Sequence, residues 1–172
     1  MRAPCADCHR PAAARRGFTL IEAALVTVIV GVGITAMLEL LAAGTLSNRE
    51  GAAATIAVNL ARNIREMSLG LAFSDPAVPT HWGLETGETI HAADDLDDLD
   101  GAVFSPPIDA MRVPLTDLAG WEQRLTVRSA DPDRLTLTVP NGSAPAVRVT
   151  VEVRHNGRTV YTTGWYVFDT EP

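Results

Sequence analysis

The sequence predicts an α+β fold: one long N-terminal helix, membrane-spanning in its first half, packed on a small C-terminal antiparallel sheet. Three observations predict it. From Phe18 to Ala43 the chain is apolar, with Glu22 and Glu39 its only ionisable residues. Beyond that run, Ile56, Leu60, Ile64, Met67 and Leu71 recur at intervals of three and four, which places them on one face of a helix. The final third is rich in Val, Leu, Thr and aromatic residues that alternate with polar ones, as half-buried strands do. The chain divides accordingly into a leader (1–17), an apolar helix (18–43), its amphipathic continuation (44–73), a Pro/Asp-rich loop region (74–119) and a sheet (120–172).

Residues 1–17 are rich in Ala, Arg and Pro, show no hydrophobic period and read as a leader. Cys5-Ala6-Asp7-Cys8-His9 matches the pattern for covalent haem c attachment. Haem is attached outside the cytoplasm, whereas Arg2, Arg10, Arg15 and Arg16 ahead of the apolar run orient this end inward. A Cys/Cys/His zinc site lacks a fourth ligand and a folded context. The pattern is therefore read as incidental. Cys5 and Cys8 are the only cysteines, so the domain beyond the apolar run holds no disulfide.

As a helix, residues 18–43 extend about 39 Å, enough to cross a hydrocarbon core of about 30 Å with tilt. Ala42-Ala43-Gly44 imitates a secretory cleavage site, but the run is longer than the apolar region of a signal peptide. Gly31 and Gly33 weaken the helix locally while permitting close approach of a neighbouring helix. Glu39 lies in the last turn or so of the span, within reach of interfacial water. The stripe that follows leaves Arg62, Arg65 and Glu66 on other faces, and Gly70 with Asp75-Pro76 marks the expected end.

Pro76, Pro79, Pro106, Pro107 and Pro114 punctuate the loop region, which contains Asp94-Asp95-Leu96-Asp97-Asp98-Leu99-Asp100-Gly101. Oxygen-rich runs of this kind suit Ca²⁺, and Asp95, Asp97, Asp98 and Asp100 are the candidate ligands. Aligned to an EF-hand loop, the run puts Leu96 at the first ligand position, so that pattern fails. The competing reading is a solvated acidic turn. Four strands are expected, at 124–128, 134–139, 146–154 and 159–168, with Asn156-Gly157 as a type I′ hairpin turn between the last two.

From Phe18 onward the chain carries 10 Arg against 20 Asp and Glu, a balance that repels nucleic acid. It has no lysine, which excludes isopeptide cross-links that would use a lysine of this chain. His81, His91 and His155 are scattered among polar residues, and no Ser or Cys nucleophile motif is present, so no enzyme is expected.

Arg15-Arg16-Gly17-Phe18-Thr19-Leu20-Ile21-Glu22 resembles the prepilin cleavage and methylation motif of type IV pilins and type II secretion pseudopilins. The resemblance covers about 30 residues and implies cleavage between Gly17 and Phe18 by an aspartyl prepilin peptidase, then N-methylation of Phe18. It further implies that Glu22 pairs with the Phe18 amine of an adjacent subunit. Arg15 and Arg16 would fix orientation, with the N-terminus cytoplasmic and the C-terminal domain periplasmic. Implied partners are the peptidase, other pilins or pseudopilins and an inner-membrane assembly platform. The acidic run resembles an aspartate-rich segment of some minor pilins of the mannose-sensitive haemagglutinin type. The chain departs from major pilins in lacking a C-terminal cysteine pair and a proline soon after Glu22.

Overall fold

A computed structural model describes residues 17–75 and 81–169. The leader arginines and the Cys5–His9 pattern lie outside those residues. The expected α+β arrangement is present. Helix α1 runs Leu20–Ser68, followed by a 3-10 turn at Asp97–Leu99 and strands β1 (Val103–Phe104), β2 (Trp121–Ser129), β3 (Ala146–His155) and β4 (Arg158–Phe168). The chain forms two compact units that divide after Ser47, within α1.

In the first unit the described side chains are all exposed. The most apolar 18-residue window of α1 has a mean hydropathy of 2.3, so this helix is long and apolar enough to cross a membrane. In the second unit α1 becomes one-sided. Ala57, Leu60, Ala61, Ile64 and Met67 are buried while Arg62, Arg65 and Glu66 are exposed. The expected stripe is the buried one, with Ile56 and Leu71 half-buried at its ends. Alanines 57 and 61 widen it and let the backbone approach the sheet closely.

The strands form a meander in the order β1-β2-β3-β4, with every neighbouring pair antiparallel. Period-two alternation turns Trp121, Gln123, Leu125 and Val127 of β2 and Val147, Val149, Val151 and Val153 of β3 into one core with the helix stripe. Glu122, Arg124, Arg148 and Glu152 lie on the opposite face. Asn156 and Gly157, with φ of 49° and 77°, take the positive values a type I′ turn requires. Gly120 also has positive φ, and a Cβ there would meet Asn156 Oδ1 at 2.4 Å, so only glycine fits beside this turn.

Four features differ from the expectation, the first being β2, which begins at Trp121 rather than at 124. Helix α1 ends at Ser68, before Gly70. The fourth strand is β1, inside the expected loop region, because Val103 and Phe104 pair with Arg124 and Gln123. Residues 134–139 form no strand despite their alternation. Asp131 Oδ1 accepts from the Asp133 and Arg134 N–H groups, starting a turn that folds the segment back, and only the Ala130–Thr138 bridge remains.

One polar side chain ties the layers together. Gln123, fully buried, donates from Nε2 to the Leu60 carbonyl of α1 at 2.9 Å and to the Ile108 carbonyl at 3.1 Å; its Oε1 accepts from Ile108 N–H at 2.8 Å. Replacement by Leu keeps the volume but strands the Ile108 amide, which costs about 1–3 kcal/mol. Gln123→Leu is therefore expected to lower the unfolding free energy by that amount, read as a lower urea midpoint with an unchanged m-value.

Candidate functional site

Two features carry chemistry: the start of α1 and the acidic segment before β1. At the first, Thr19 Oγ1 accepts from the Glu22 amide at 3.3 Å, and the Thr19 carbonyl accepts from Ala23 at 3.1 Å. Thr19 is thus the N-cap and Glu22 the third helical residue, the Thr-x-x-Glu spacing of a capping box. A carboxylate in this first turn is favoured by the helix dipole. Gly17, Phe18 and Glu22 are exposed, Phe18 at 68%. The cap is legible in Thr19-Leu20-Ile21-Glu22, residues that also belong to the cleavage motif.

The acidic segment is not a solvated turn. Asp95, Asp97 and Asp98 are buried, at 1%, 4% and 1% exposure, because Leu96 and Leu99 on the same turn enter the core and carry the aspartates with them. Asp95 Oδ1 accepts from the Asp97 and Asp98 amides at 3.0 and 3.1 Å, initiating the 3-10 turn. Asp98 Oδ2 accepts from the Asp94 amide at 3.2 Å.

Of the four expected calcium ligands the structure gathers two. Asp94, Asp95 and Asp98 offer oxygens within 4.8 Å of one another, as do Glu85, Glu88 and Asp98. Asp100 is committed elsewhere: it pairs with Arg128, and its Oδ1 accepts from Val127 N–H at 3.1 Å, fastening the segment to β2. Asp97 belongs to neither group and hydrogen-bonds to Asp95. Asp94 was in the acidic run but outside the expected set. Glu85 and Glu88 lie about ten residues upstream, and only the turn that closes Glu88 N–H onto the Glu85 carbonyl at 3.0 Å brings them in.

Of the three histidines in the described residues, His81 and His91 are exposed as expected. His155 instead stacks on Trp121, with centroids 4.4 Å apart. His81 Nδ1 lies 3.5 Å from Glu85 Oε1. Compared with known protein families, with curated proteins and with solved structures, the chain matches none.

Burial pushes the Asp97 carboxyl up to about 8, helped by its hydrogen bond to Asp95 and by the Asp95 charge. Burial and the Asp95 charge raise Asp98 as well, and the hydrogen bond that its carboxyl shares with Glu88 raises Glu85. The folded state thus holds protons that the unfolded chain releases near pH 4. Between these values unfolding releases protons, so stability falls as pH rises. The melting temperature is expected to decline from pH 5 to pH 9, with a shallower decline in Asp97→Asn; a flat wild-type profile in thermal melts would contradict this.

Proposed function

We propose that the chain is a minor pilin or pseudopilin: a non-enzymatic subunit, processed by prepilin peptidase, that primes or joins a membrane-derived filament of a type IV pilus or a type II secretion system. The observation that carries this reading is the joining of Gly17-Phe18-Thr19-Leu20-Ile21-Glu22 to one uninterrupted helix, apolar on all sides at first and one-sided where it covers a sheet.

Each part has a role in such a life cycle. Arg15 and Arg16 keep the leader cytoplasmic while the apolar helix spans the inner membrane and the sheet domain lies in the periplasm. Gly17, without a side chain, leaves the peptide bond before Phe18 open to a peptidase. Cleavage there gives Phe18 a new α-amine, the site of N-methylation. Glu22 is tolerable near the end of a span, where a carboxylate costs less than the about 2.5–3.5 kcal/mol of mid-membrane insertion. When the helix leaves lipid for a filament core, that carboxylate is desolvated and requires a partner. The Phe18 amine of the adjacent subunit supplies one, and every other axial stagger leaves two charges buried and unpaired.

Co-expression with and without a prepilin peptidase is expected to yield two products differing by the 17 residues up to Gly17, with N-terminal sequencing of the shorter one starting at Phe18. An unprocessed chain in both cases overturns the reading. Glu22→Ala is expected to insert and be cleaved normally but to enter sheared filaments at well under a tenth of the wild-type level. Wild-type incorporation would remove Glu22 from assembly.

A further inference from the structure

We propose that Glu85, Glu88, Asp94, Asp95 and Asp98 form a binding site for one hard divalent cation of the Ca²⁺ class, centred on Asp98. The inference is independent of the filament reading, since it concerns the sheet-bearing unit alone.

Two observations carry it. The first is convergence. Two sets of three carboxylate residues, Glu85/Glu88/Asp98 and Asp94/Asp95/Asp98, each bring oxygens within 4.8 Å of one another, and Asp98 belongs to both. Ligands on opposite sides of a Ca²⁺ ion, at about 2.3–2.6 Å from it, lie about 5 Å apart, so this is the separation of a coordination sphere. The second concerns Asp98 itself. Its side chain is 1% exposed, Oδ2 accepts from the Asp94 amide, and Oδ1 has no hydrogen-bond partner. A buried carboxylate oxygen without a donor is costly, and the groups around it are carboxylates, which accept rather than donate when ionised. A cation satisfies that oxygen and offsets the mutual repulsion of the group. Glu85 and Glu88 are half-buried and Asp94 is exposed, so the site has an entrance from solvent.

The chemistry favours a large cation. The ligands are all oxygens, and they come from two separate turns, 85–88 and 94–98, rather than one rigid frame. Ca²⁺ accepts six to eight oxygens in irregular geometry, whereas Mg²⁺ demands a near-ideal octahedron. Bound there, the ion would pin the first turn to the second, and through Asp100 and its bond to the Val127 amide to strand β2.

Calorimetric titration of the full chain in detergent with CaCl₂ tests the site, with MgCl₂ as comparator and thermal melts in parallel. The expected result is one Ca²⁺ per chain with a dissociation constant of about 1 mM or tighter, at least ten-fold weaker Mg²⁺ binding, and a melting temperature that rises with Ca²⁺. Asp98→Asn should abolish binding, Glu88→Gln should weaken it at least ten-fold, and the exposed Asp117→Asn should leave it unchanged. Absence of both heat and thermal shift overturns the proposal, as does Mg²⁺ binding equal to Ca²⁺. If Asp98→Asn does not fold, Glu88→Gln decides, and wild-type affinity in that variant overturns the site. Normal peptidase processing alongside a failed titration would leave the filament reading standing.

Discussion

The second unit depends on a single apolar layer, formed where the Ala57–Met67 face of the helix meets the valine face of β2 and β3. No disulfide reinforces it, since both cysteines precede the apolar run. A unit of this size buries a smaller share of its surface than a large domain does, so loss of one face cannot be absorbed elsewhere. The layer also sets the positions of its polar exceptions. Gln123 is tolerated within it because three backbone groups meet its amide, and the acidic turn is drawn inward because Leu96 and Leu99 belong to the same core.

Long-period features of the fold were legible in the sequence. The change of α1 from apolar on all sides to apolar on one is a matter of spacing, and so is the alternation of Val147, Val149, Val151 and Val153. Asn156-Gly157 was legible because its conformational demand is local. Residues 134–139 misled for the opposite reason: their alternation suits a strand, but Asp131 captures two amides and closes a turn before pairing can extend. Strand β1 left no trace because two residues carry no period.

The candidate sites divide in the same way. The start of α1 is contiguous, so Gly17, Phe18 and Glu22 were legible as one motif. The carboxylate cluster is assembled across a turn, and its composition followed only in part from the acidic run. Asp95 and Asp98 were anticipated. Asp100 was drawn away by Arg128 and β2, Asp97 by Asp95, and Glu85 and Glu88 arrived through a fold-back that spacing does not encode.

The two ends of the sheet are secured by different means. At one end the Asn156 amide donates to the Gly120 carbonyl at 2.8 Å, Trp121 stacks on His155, and the space above Gly120 is filled by Asn156. The hairpin turn is thereby clamped to the start of β2, two strands away in sequence. At the other end the ties come from chain outside the strands: the Ala130 amide donates to the Ala146 carbonyl at 2.8 Å, the Asp169 amide to the Pro145 carbonyl at 2.9 Å and the Tyr166 hydroxyl to the Leu135 carbonyl at 2.9 Å. The connection between β2 and β3, which forms no strand, thus helps to hold the edge strand β4 in place. A segment without regular structure is here a fastening rather than a spacer.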